Sequence, residues 1–176
     1  MTVKFHAFRT DRLARELSQG RPSEKVQFLY LLGTELLLAF LLYYSLIFGA
    51  YVDWMFFLEI PIVLLITFIG IYEAYRANGG ANGNNFLIKA YCLLFPITVN
   101  VVIASEVLSW AYIYLTPFIA DPAIFADPTR FLALIGFVWN PVFTVFIFWR
   151  LNVHILRIAS AESPNKTSMD SPVNPH

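Results

Sequence analysis

Residues 54–75 read WMFFLEIPIVLLITFIGIYEAY, an apolar run whose first interruptions are Glu59 and Pro61. A helix needs roughly 20 predominantly apolar residues to cross the hydrocarbon of a bilayer, and this stretch has that length and character. Three further runs, at about 26–49, 86–115 and 129–157, share them. None alternates in the way a barrel strand does. Lipid offers no partner for an unpaired backbone N–H or C=O, so such segments must be helices. The expectation is an all-α integral membrane protein, a four-transmembrane-helix antiparallel bundle, with no extended soluble domain.

Composition points the same way. The chain is 58% hydrophobic, 17% aromatic and 14% charged, whereas soluble domains carry about a quarter of charged residues. Its formal charge of zero gives no argument for nucleic acid, which is not expected as a partner. The single cysteine, Cys92, lies inside an apolar run, can form no disulfide within the chain, and reads as a small packed residue. The first apolar run is too long, and too far from the start of the chain, for a cleavable signal, and Phe48 and Ala50 do not make a small-x-small cleavage site. It is expected to stay as an anchor.

Orientation follows from the basic residues. Placing the N-terminus, the 76–85 connection and the C-terminus on one side gathers Lys4, Arg9, Arg12, Arg15, Arg21, Lys25, Arg76, Lys89, Arg150, Arg157 and Lys166 there, and leaves only Arg130 opposite. Positive charge marks the cytoplasmic face, so both termini are expected inside the cell, with outer connections at 50–53 and 116–128. With no recognisable organelle signal, the inner (plasma) membrane is the expected location. Residues 1–25 form the cytoplasmic N-terminal segment. Within it Thr10–Ser18 predicts a short amphipathic helix with Leu13 and Leu17 on one face, Arg12 and Glu16 paired at i, i+4, and a stop at Gly20 and Pro22. Such a helix suits the inner leaflet or a solvated tether. Residues 159–176 are expected to be a disordered cytoplasmic tail, the stretch from Ser163 being rich in Ser, Pro and Asn.

The polar connection 75–89, YRANGGANGNNFLIK, invites a phosphate-loop or calcium-loop reading. A phosphate loop wants a strand before it and a Lys-Ser/Thr after it, and a calcium loop wants alternating carboxylates; neither pattern is present. A cytoplasmic turn explains the residues better, with Gly79, Gly80 and Gly83 supplying positive φ, Asn78 and Asn82 tolerating the left-handed region, and Asn84 or Asn85 capping the next helix. A docking surface or anion nest is the alternative. On the outer side Asp121-Pro122 and Asp127-Pro128 each pair an N-cap with proline at the first helical position.

Ionisable groups at membrane depth cost about 2.5–3.5 kcal/mol each, so each needs a partner or a purpose. Glu35 and Arg150 fall at similar depths in the inner half, and with His154 they form a candidate structural ion pair tying the first span to the fourth. Glu59, Glu106, Asn100 and Asn140 form a candidate polar site, mostly in the outer half, in which one acid is protonated, a cation is bound, or Arg130 folds back to pair. Neighbours of these acids at i±3 and i±4 are apolar, which argues against a wide pore in a single copy. Pro61, Pro96 and Pro141 interrupt the second, third and fourth spans and free carbonyls at Phe57, Cys92 and Phe137, as ordinary kinks or as ion ligands. Gly70-x-x-x-Ala74 and Ser105-x-x-x-Ser109 permit close helix approach.

No H-E-x-x-H, G-x-S-x-G or facing histidine pair is present, and neither a cofactor nor a metal is expected. The leading expectation is a non-catalytic accessory, assembly or immunity-type membrane protein that binds the lipid bilayer and a membrane-protein partner or a second copy of itself. A small oligomeric proton- or cation-coupled transporter using the intramembrane carboxylates is the alternative, and a lipid-modifying enzyme the outsider.

Overall fold

The computed structural model describes residues 9–20, 23–48, 54–119 and 128–169. Among them there are five α-helices and no strand: α1 (Thr10–Ser18), α2 (Glu24–Phe48), α3 (Trp54–Ala77), α4 (Phe86–Ile119) and α5 (Pro128–Met169). A single turn of 3-10 helix, Gly80–Asn82, separates α3 from α4. Three helices are long and apolar enough to cross a membrane, through Phe57–Ala77, Phe86–Ala111 and Phe137–Glu162. They run unbroken through Pro61, Pro96 and Pro141.

The packing is not a closed ring of four antiparallel neighbours. Among the described residues the contacts form a chain from α3 to α5 to α4 to α2, with α1 seated against both α4 and α5. The most extensive pairing, α3 on α5, is also parallel, because Glu59 meets Asn140 and Gly70 meets Phe148 in the same order. Gly70 makes that pairing work, since a Cβ there would run into the Phe148 side chain, and Ala74 one turn on is fully buried. Between α2 and α4, Phe95 packs close over Gly33 and edge-on to Tyr30, while the Thr34 hydroxyl lies 2.9 Å from the Tyr30 carbonyl and 3.2 Å from that of Tyr91.

α1 forms where its pattern predicted, with Arg12 Nε 3.6 Å from Glu16, and ends at Gly20 with φ of 62°. It is not a solvated tether. Thr10, Leu13, Ala14 and Leu17 are buried, and the three apolar ones belong to the same core as Leu93, Ile97, Leu151 and Ile155. A face this apolar on so short a helix gains more by closing the groove between two neighbours than by floating beside them. The C-terminal expectation is corrected as well. Helix α5 continues to Met169, so residues 159–169 are helical where disorder was expected, and residues 170–176 lie outside the described set. Ile158 is buried and Glu162 is held by Lys89, two anchors that a reading of Ser, Pro and Asn content overlooks.

Candidate functional site

Polar groups gather at three levels along α5. The first, near the C-terminal end of α5, is a clasp on the turn between α3 and α4. Lys89, buried to 5% exposure, sets its ammonium 2.8 Å from Glu162 Oε2 and 3.2 Å from Asn78 Oδ1. The Asn78 amide in turn donates to the Asn84 carbonyl at 3.3 Å. Gly79 and Gly80 have φ of 97° and 58°, as a turn demands. Gly83 is required for another reason: its φ is −78°, and a Cβ there would strike the Asn78 carbonyl. Asn78 is therefore a buried bridge and not a left-handed turn residue, and the positive φ of 54° falls on Asn85, at the start of α4. The backbone of Asn82 lies in the 3-10 turn.

One level back along α5 towards its N-terminus, α1 meets it. Asp11 Oδ1 lies 2.9 Å from Arg157 Nη1 and 3.8 Å from His154 Nδ1. His154 is fully buried, and neither ring nitrogen has a hydrogen-bond partner. The expected ion pair between Glu35 and Arg150 does not form. Thr34 faces α4, and the next residue on a helix turns by about 100°, which carries Glu35 onto the exposed side of α2. Arg150 faces α1 instead, and His154 approaches Asp11. Among the described residues α2 and α5 share no extensive contact that would let the two meet.

The third level, nearest the start of α5, holds half of the polar site expected from the sequence. The Asn140 amide donates to Glu59 Oε1 at 2.7 Å across the α3–α5 interface, and Glu59 is 8% exposed. Its second oxygen, Oε2, is buried without a partner. The other two members are elsewhere. Glu106 is exposed on α4, off the buried stripe of Leu93, Ile97 and Val101, and Asn100 is exposed toward α1 at the edge of a cavity. The side chain of Arg130, the cation considered for this site, lies outside the described residues. Thus Glu59 has an amide for company and not a second acid.

That arrangement can accept one more hydrogen bond at Glu59, and it holds charge at the other two levels. Among the described residues no group of histidine, cysteine and carboxylate side chains is placed to bind a metal ion. Sequence reasoning missed Lys89–Glu162–Asn78. The available signal was a lysine on the first turn of an apolar helix, a position where a long side chain is bound to seek a partner. No protein-family model, no curated protein and no solved structure matches the chain.

Proposed function

We propose that the chain is a four-span membrane protein of non-catalytic accessory, assembly or immunity type, which acts by binding other components of the membrane. In this reading α2 is the fourth span and the inner (plasma) membrane is the host. Both termini face the cytoplasm. The association of α1, the 78–85 turn and the last turns of α5 at one end, through Asp11–Arg157 and Lys89–Glu162, supports placing the basic segments on one side.

The observation that carries the binding role is the outer flank of α3. Among the described residues its extensive packing against a longer helix is with α5, apart from Tyr75 against Phe86 of α4 at its last turn, and it leaves Phe57 76% exposed and Phe68 72% exposed, with Leu64 and Leu65 between them. A helix at the end of a row has a whole face for lipid or for another protein. Crosslinking in native membranes from photoreactive residues at Leu64 and Phe68 tests this. A stoichiometric protein adduct, heteromeric or with a second copy, is the expected result, and adducts with lipid alone would remove the reading.

Proton- or cation-coupled transport is kept as a second reading because Glu59 Oε2 is buried and unpaired beside Asn140. Under it, Glu59→Gln abolishes pH-dependent flux in proteoliposomes while Glu106→Gln, exposed on α4, has a lesser effect. Flux that survives both changes removes it.

A further inference from the structure

Along the exposed face of α1, where it borders Asn100 of α4 and Arg150 of α5, lies an open cavity of about 610 Å³, within the range of small-ligand sites. Arg9, Arg12, Arg15 and Arg150 line it, together with Asn100 and Gln19. Two acids, Asp11 and Glu16, share the wall. Both are engaged, Asp11 with Arg157 at 2.9 Å and Glu16 with Arg12 at 3.6 Å. Arg9, Arg15 and Arg150 have no carboxylate partner among the described residues.

The position of these charges makes the imbalance costly. Arg150 lies in the apolar stretch Phe137–Glu162 and, at 1.5 Å per residue, about 18 Å along α5 from the Glu162 clasp. The burial of Leu13, Ala14 and Leu17 fixes the opposite, arginine-bearing face of α1 toward the cavity. Arg9 occupies the N-cap of α1 and supplies no side-chain hydrogen bond there, so the first-turn N–H groups and the positive end of the helix dipole are uncapped by that residue. Guanidinium forks converging from two elements on a cavity flanked by apolar helices match a tetrahedral oxyanion, which they bind through paired N–H···O bonds.

We propose that this cavity binds a phosphate group, with Arg150 and Asn100 on its inner wall and Arg9, Arg12 and Arg15 as the outer clamp. Two sources share that chemistry: the headgroup of an anionic phospholipid, and a free phosphate.

The test uses the full chain in phosphatidylcholine nanodiscs and reads thermal unfolding by tryptophan fluorescence. Dihexanoyl phosphatidylglycerol and inorganic phosphate are titrated separately. A saturable rise in Tm with the lipid alone assigns the site to a headgroup, a rise with both assigns it to the phosphate itself, and a rise with phosphate alone assigns it to a soluble ligand. Arg9→Gln and Arg15→Gln change exposed side chains, and each should weaken the apparent affinity about tenfold, a loss in the range of one charge-assisted hydrogen-bonded contact. Arg76→Gln, where the arginine is paired with Glu73 outside the cavity, should leave affinity unchanged. No rise with either probe, or an equal loss in Arg76→Gln, overturns the proposal.

Discussion

The two ends of α5 are fastened by different chemistry. At the C-terminal end charges lock three separate stretches of chain together, with Lys89 between Glu162 and Asn78, and Asp11 beside Arg157. About 33 Å away along α5, its N-terminal half has one neutral donor, Asn140, on one carboxylate, Glu59. Charge is tolerated where chain connections and α1 bring partners within reach. Where only two apolar helices face each other, a single amide must serve. The C-terminal end therefore fixes how the elements assemble, and the Glu59–Asn140 pair mainly fixes the register of α3 against α5.

The contrast can be broken by substitution. The largest effect belongs to Lys89→Ala, which strands Glu162 and Asn78 Oδ1 at a part-buried site and should cost about 3 kcal/mol or more, read as reversible unfolding in mixed micelles. Next comes Asn140→Leu. It leaves Glu59 with two unsatisfied buried oxygens in place of one, and should cost about 1–3 kcal/mol in the same assay. Should the order of these two reverse, the Glu59–Asn140 pair and not the clasp would be the principal fastening. Asp11→Asn removes a charge from an ion pair whose two side chains are both 62% exposed, and should change stability by less than about 1 kcal/mol. Limited proteolysis near Gly20 checks whether α1 loosens. Glu106→Gln, on an exposed face, should give no change within about 0.5 kcal/mol.

Much of the architecture was legible because the bilayer and the backbone impose it. Long apolar runs with no alternation have only one way to satisfy their N–H and C=O groups in lipid, so the helical segments could be placed, and Pro128 starts α5 where an N-terminal proline was expected. Gly70 and Ala74 likewise announced a close crossing, and Phe148 provides it. What the chain did not disclose was which helix faces which. An α-helix presents residues every 100° or so, and a nearly uniform apolar surface carries no stripe to choose a neighbour. Glu35 and Arg150 match in depth yet face different helices for that reason, and Glu106 and Glu59 are separated in the same way. Asn140 and Glu59 were placed in one constellation because polar groups in such surroundings have few partners to choose from. The burial of α1 escaped because amphipathic periodicity identifies an apolar face without naming what covers it.

The central claim is that the apolar helices cross a bilayer with α1 and the 78–85 turn on its cytoplasmic side. Single cysteines placed at Ala81 and at Ala123 in a Cys92→Ser background, treated in intact cells with a membrane-impermeant maleimide, test it most directly. The account predicts labelling of Ala123→Cys before lysis and of Ala81→Cys only after it. Labelling of Ala81→Cys in intact cells, or recovery of the unlabelled chain in the soluble fraction without detergent, would contradict it.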